Sequence, residues 1–338
     1  MNGLTSLFKL MLLSLAMLAF VSASALAAVD GQNGPGDNYG SALAVQDTPT
    51  GFGNNQSELN AAFAKLDISG NLSLLLTGNL QDGGNGLVIF IDSRAGGAIA
   101  STLGDGSGVM GSVGGARVDD WGTDLDGGVG VNPTPGGGSI LDAGFNPDVA
   151  LEINISGSYY TNIIDLTIPN VPDVNKDIYL GSNNLGPTSV TQTYFRDSGA
   201  TNSGTIQHAF DNSNTDGVNG YDFGTPPGPL GNPLSATKGY EALISAAFLV
   251  NDGQPIKIMA FITNNSGDYL ANQFLGEAGL AGAPNLGGPG GDGGVPLFDA
   301  RLFAGKQYFT VPAVPEPSTA VLIGLALASL AGLSRRRS

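Results

Sequence analysis

Leu72-Ser73-Leu74-Leu75-Leu76-Thr77-Gly78 and Leu87-Val88-Ile89-Phe90-Ile91-Asp92 are the two stretches on which the fold turns. Each is a short, nearly continuous apolar run, the pattern of a strand covered on both faces. Between them, Asn79 to Gly86 contains Asp82-Gly83-Gly84-Asn85-Gly86, residues suited to a tight reversal. The pair therefore reads as a β-hairpin at the centre of a core.

Working outward, further strands are expected at Val149 to Ile155, Tyr159 to Ile168, Ile178 to Leu180, Thr205 to Phe210, Ile256 to Thr263 and Gln307 to Val311. Val149-Ala150-Leu151-Glu152-Ile153-Asn154-Ile155 alternates, which predicts one wet face. The tyrosines of Tyr159-Tyr160 must point to opposite faces, one into the core. Ser57 to Leu66 and Tyr240 to Val250 each read as strand or short helix. Residues 94–148 read as long loops with one short strand near Ala116 to Val118. Residues 211–237 are loop, carrying Pro226, Pro227, Pro229 and Pro233, and residues 276–294 are glycine-rich.

The chain is rich in glycine, with 53 among 338 residues, and it has no cysteine. Short strands joined by turns fit that composition, and without disulfides the core alone must hold the body. The expectation is an all-β fold: a single antiparallel β-sandwich of about nine to twelve strands with long Gly/Asp/Asn-rich loops. The divisions are 1–27, a signal peptide; 28–56, an extended lead-in; 57–311, the sandwich; and 312–338, a sorting tail.

The two ends carry export chemistry. Lys9 precedes an apolar run from Leu10 to Val21, and Ala25-Leu26-Ala27 forms a small-residue cleavage site. That is a secretory signal peptide cut between Ala27 and Ala28, with Ala23-Ser24-Ala25 as the alternative site. At the other end stand Val314-Pro315-Glu316-Pro317, an uncharged apolar run from Thr319 to Leu333, and Arg335, Arg336 and Arg337. Pro315 and Pro317 keep the backbone extended for an enzyme to hold. The apolar helix, about 318–334, suits lipid, and the arginines stay on the cytoplasmic side. At 1.5 Å per residue the run from Thr319 to Leu333 reaches about 22 Å, short of a bilayer core of about 30 Å. A transient anchor tolerates that shortfall better than a permanent one.

This three-part ending resembles the PEP-CTERM sorting signal of Gram-negative bacteria. The resemblance implies recognition by an exosortase and association with exopolysaccharide and biofilm matrix. It also implies transient anchoring in the inner membrane, then the cell surface, outer membrane or extracellular matrix. Partners follow: Sec-type export machinery, signal peptidase and exosortase. Glu58-Leu59-Asn60-Ala61-Ala62-Phe63-Ala64, Asn272-Gln273-Phe274-Leu275 and Gly305-Lys306-Gln307-Tyr308-Phe309-Thr310-Val311 are similar to a group of exported PEP-CTERM proteins. By strand pattern, these resemble DOMON and family 9 carbohydrate-binding-module sandwiches. Those modules clamp sugars between tryptophans, and this chain has only Trp121.

Charge bounds the function. Without Lys9 and the tail arginines, 9 of the 13 basic residues remain against all 29 acids. So acidic a body repels phosphate backbones, which argues against nucleic acid as a partner.

Site candidates are few. His208 is the only histidine, and no Gly-x-Ser-x-Gly elbow accompanies it, so it reads as a strand residue. Asn212-Ser213-Asn214-Thr215-Asp216-Gly217 has the alternating oxygens of a calcium loop, with Asn212, Asn214 and Asp216 as ligands. Asp173, Asn175 and Asp177 repeat the alternation without the glycine. Ordinary Asx turns are the competing reading for both. Trp121, between carboxylates and glycine, reads as a sugar-stacking ring or as a half-buried loop anchor. The sequence favours a non-enzymatic surface or matrix protein. A polysaccharide hydrolase and a calcium-stabilised spacer are the alternatives.

Overall fold

The computed structural model describes residues 27–97, 141–166, 177–195, 203–221, 229–264, 269–280, 282–286 and 300–313. Among the described residues, thirteen strands form two antiparallel sheets, which the chain visits in blocks. β1 (Ala44–Val45), β2 (Glu58–Leu66) and β3 (Leu72–Asn79) enter the first sheet. β4 (Asn85–Asp92), β5 (Val149–Ser156), β6 (Ser158–Asp165) and β7 (Asp177–Asn183) build the second. β8 (Gly186–Phe195), β9 (Ser203–Phe210) and β10 (Gly239–Ile244) return to the first. One turn of helix, α1 (Ala246–Leu249), leads on to β11 (Lys257–Asn264), β12 (Leu270–Leu275) and β13 (Phe309–Thr310) in the second. The first sheet runs β1-β2-β3-β10-β9-β8 and the second β12-β11-β4-β5-β6-β7, with β13 also on β11. The sandwich expected from the sequence is therefore the fold.

The central pair is not a hairpin. β3 pairs with β2 and β10, whereas β4 pairs with β5 and β11. Residues 80–84 cross from one sheet to the other. Both strands are buried throughout, as their composition requires. Each satisfies its backbone on two edges, and in the middle of a sheet that takes two partner strands. Placing β3 and β4 in opposite sheets supplies four such partners. Leu72, Leu74 and Leu76 then pack in the same buried cluster as Leu87, Ile89 and Ile91. Each such side chain contributes about 1.5–3 kcal/mol on burial.

The other faces of these strands are covered too. Val88 and Phe90 pack with Phe261, Phe274, Phe145 and Tyr308 outside the second sheet. Leu75 packs with Ala27, Tyr39, Ala61 and Phe63 outside the first. Residues 28–56 thus lie along the sandwich, through the pairing of β1 with β2 and bridges from Gln32 to Lys238 and Thr50 to Gly220. At Asn60 a bulge in β2 breaks its register against β3. Opposite, a Cβ on Gly78 would stand 2.1 Å from the Glu58 carbonyl oxygen, so only glycine fits.

Several expectations change. The face of β5 read as wet is dry, because Glu152 and Asn154 are fully buried and Asn154 Nδ2 donates to Glu152 Oε1 at 2.9 Å. Ser57 to Leu66 resolves to strand. Tyr240 to Val250 divides into β10 and α1, with Ser245 Oγ capping the turn by accepting from the Phe248 amide. Tyr159 is in the core and Tyr160 is only half-buried, as their alternation demands. The strand expected near Ala116 to Val118 lies outside the described residues.

Candidate functional site

The site that matters for sorting is where the tail leaves the body. Along Tyr308-Phe309-Thr310-Val311 alternate side chains enter different layers. Phe309 and Val311 are about 1% exposed and belong to the main core between the sheets, while Tyr308 enters the cluster outside the second sheet. β11 is shared along its edge: β12 takes Ala260 to Thr263, and β13 takes Lys257 and Ile258. The Val311 amide adds a bond to the Ile256 carbonyl at 2.8 Å.

Contacts around Tyr308 lock the approach. Its ring stacks on Phe145 at 5.1 Å and 12°. The ammonium groups of Lys306 and Lys257 lie 5.2 and 5.8 Å from the ring centre. Lys257 also pairs with Asp92 at 3.1 Å. The Gln307 amide donates to Asp142 Oδ2 at 2.7 Å, and burial raises the Asp142 carboxyl pKa against that bond. The carbonyls of Lys306 and Tyr308 accept from the amides of Ala278 and Glu277. Past Val311, Pro312 and Ala313 are exposed. Four residues take the chain from Val311 to Pro315, so the Pro-Glu-Pro motif begins at most about 14 Å from the body.

Residues 313–338 match the family model of the PEP-CTERM protein-sorting motif. The tail is a PEP-CTERM sorting motif. A chain so marked is an exported protein, held at a membrane for sorting, with exosortase as its processing partner. Neither the curated proteins nor the solved structures include a match to the chain. Pro315, Glu316, Pro317, the expected apolar helix and the three tail arginines lie outside the described residues. Among the described residues no helix is long and apolar enough to cross a membrane.

His208 lies on β9, fully buried. Rings of Tyr159 and Tyr240 stand 5.4 and 6.0 Å away, and the Tyr159 hydroxyl donates to the His208 carbonyl at 3.0 Å. Its Nδ1 is 3.5 Å from Thr161 Oγ1. Burial pushes the imidazole pKa down to about 4, so the ring is neutral at physiological pH. It is a core residue, as its lone occurrence implied.

The loop read as a calcium candidate has another task. Asn212 Oδ1 accepts from the Leu80 amide at 2.7 Å, and its Nδ2 donates to the Leu80 carbonyl at 2.8 Å. Asn214 Oδ1 accepts from the amides of Thr237 and Lys238. Asn214 Nδ2 donates to the carbonyls of Gly78 and Lys238. Both asparagines thus spend oxygen and nitrogen on backbone, tying three chain segments together. With two donors already on Asn214 Oδ1, its lone pairs are taken. Asp216 is exposed. Asp173, Asn175 and Trp121 lie outside the described residues, and Asp177 opens β7. Among the described residues no group of three or more His, Asp or Glu is placed to hold a metal.

Sequence reasoning missed a second asparagine and glutamine network that pins β12. Gln273 Nε2 donates to the Thr48 carbonyl, and its Oε1 accepts from the Leu59 amide. Asn272 Nδ2 donates to the carbonyls of Pro49 and Ala283. The signal was present in Asn272-Gln273, two amides inside an otherwise apolar hexamer.

Proposed function

We propose that this chain is a non-enzymatic surface or matrix protein, whose sandwich is the cargo delivered when exosortase acts on the tail. The observation that carries the reading is the sorting motif at residues 313–338, following within a few residues of a strand seated in the core. A body joined so closely to its tail travels with whatever the enzyme leaves behind. His208 as a buried ring among tyrosines supports a body without histidine chemistry. The acidic surface supports an extracellular setting in which divalent cations, calcium among them, gather diffusely around carboxylates. Exopolysaccharide as the contacted polymer is the finer part of the proposal, and the matrix association implied by the tail supports it.

Intact mass of the protein from its own cell surface tests the sorting step. Wild type should end at or near Pro317. Deleting Pro315 to Pro317 should leave the chain in the membrane fraction, still ending at Ser338. Normal release of that deletion variant would overturn the proposal. Co-sedimentation of the released body with the cell's own exopolysaccharide tests the finer part, and no enrichment over a protein of matched charge would remove it.

A further inference from the structure

The N-terminal segment ends in a small, charge-rich cradle on the outer face of the first sheet. Asp37 is 3% exposed and works with both oxygens. Its Oδ2 accepts from the Gly34 amide at 2.6 Å, and its Oδ1 accepts from the nitrogen of Ala28 at 3.0 Å. Beside it, fully buried Glu241 accepts the amides of Asp30 and Gly31 on Oε2, at 2.8 and 2.9 Å. Its Oε1 accepts the Tyr39 hydroxyl at 2.6 Å. Gly31 has φ +74°, and a Cβ there would meet the Asp211 nitrogen at 2.6 Å, so glycine is required at this crossing.

The cradle is rich in carboxyls. Asp30, Asp37, Asp211 and Glu241 stand against Lys65, which reaches the Asp37 carbonyl, and Lys238, which lies 3.7 Å from Asp211. Burial raises the Asp30 and Glu241 carboxyls, and the negative charge of Asp37 raises both further. One more cation placed on Asp37 would relieve that repulsion.

The nitrogen already on Asp37 belongs to the residue that a cut after Ala27 would make the first of the mature chain. We propose that export processing cuts between Ala27 and Ala28, and that the new α-ammonium of Ala28 forms an ion pair with Asp37 which completes the fold of the mature protein. The inference rests on the export reading above. Hydrolysis adds one water across the Ala27–Ala28 peptide, leaving a carboxylate on the released signal peptide and an amine on Ala28. That amine is protonated at neutral pH. A neutral N–H donor so becomes a charge-assisted one at the same atom. Cutting there removes one methyl group, that of Ala27, from the cluster with Tyr39, Ala61, Phe63 and Leu75. The alternative cut, after Ala25, would keep Leu26 and Ala27 and place the ammonium on Leu26, two residues before the nitrogen that meets Asp37.

The test uses the exported protein purified from the producing cell. Its mass should correspond to a start at Ala28. At pH 7 an amine-acylating reagent should label that terminus about tenfold more slowly than in Asp37→Asn, because the carboxylate favours the unreactive ammonium. A second variant, with Gly-Ser inserted between Ala27 and Ala28, keeps Asp37 and should label as fast as Asp37→Asn. A start at Leu26, or equal labelling of all three proteins, would overturn the ion pair. Neither result touches the sorting proposal, which is judged at the other terminus by whether the chain ends near Pro317 or at Ser338.

Discussion

The two ends of the folded body are held in opposite ways. At the N-terminal end, Asp37, Glu241 and Tyr39 hold the chain with hydrogen bonds and charge. At the C-terminal end, Phe309, Val311 and Tyr308 hold it by burial in two separate hydrophobic layers. The difference suits the processing proposed at each end. The tail must be anchored before anything is cut there, and apolar burial needs no cleavage to work. The N-terminal cradle is polar, and the ammonium that the proposed cut would make adds a charge to it. The apolar burial of Phe309 and Val311 should also respond less to pH and salt than the carboxylate cradle.

The largest expected effect breaks the C-terminal anchor. Phe309→Ala should cost about 3–5 kcal/mol, the usual range for a buried phenylalanine. Urea unfolding would report the loss. Limited proteolysis should show new cutting between Lys306 and Ala313, where wild type is expected to resist. A cost under about 1 kcal/mol would mean that β13 is laid on the surface and not seated in the core.

A smaller effect sharpens the contrast through pH. Burial pushes the Glu241 carboxyl up to about 7, above its value of 4.5 in an unfolded chain. A raised pKa means that the folded state holds the proton more tightly. This contribution to stability is fully present below pH 4.5 and is lost as pH rises through 7, a change of about 3 kcal/mol in total. Glu241→Gln cannot ionise, so its stability should vary less between pH 5 and 8.5 than that of wild type. Parallel pH profiles for the two proteins would refute the buried carboxyl. Phe309→Ala should leave the slope unchanged.

The smallest effect removes one hydroxyl. Tyr39→Phe should lose about 1 kcal/mol at pH 5, where Glu241 is neutral, and roughly twice that at pH 8.5, where the bond becomes charge-assisted. Thermal melts at the two pH values measure it. Equal losses at both would show that the Glu241 charge does not reach Tyr39.

Much of the fold was legible, and its failures share a cause. The burial of β3 and β4 could be read from Leu72 to Leu76 and Leu87 to Ile91, because composition reports local environment. Their pairing could not be read. Each has a neighbour far along the chain, as Leu72 finds Ile244 and Leu87 finds Ile262. β8 escaped notice because its middle, Thr188 to Thr193, is exposed or half-buried and carries few large apolar residues. β12 was obscured by Asn272 and Gln273, whose amides bond to Pro49 and Thr48, more than 200 residues away. The same limit governed the calcium candidate: alternating Asn and Asp are visible in sequence, but the backbone groups that occupy Asn212 and Asn214 are not.

By itself the sequence determined what is local: the export and sorting signals, the all-β character and the acidic surface. Pro-Glu-Pro, an apolar run and three arginines act in chain order, so their chemistry needs no folded partner. The tertiary structure alone decided that the two central runs face each other from opposite sheets and that the asparagines of residues 212–214 are struts. It also decided that the tail leaves from a buried strand, and that the Ala28 nitrogen meets Asp37. Each of these depends on groups distant in sequence becoming neighbours, which happens only when the apolar faces of two sheets close on one another.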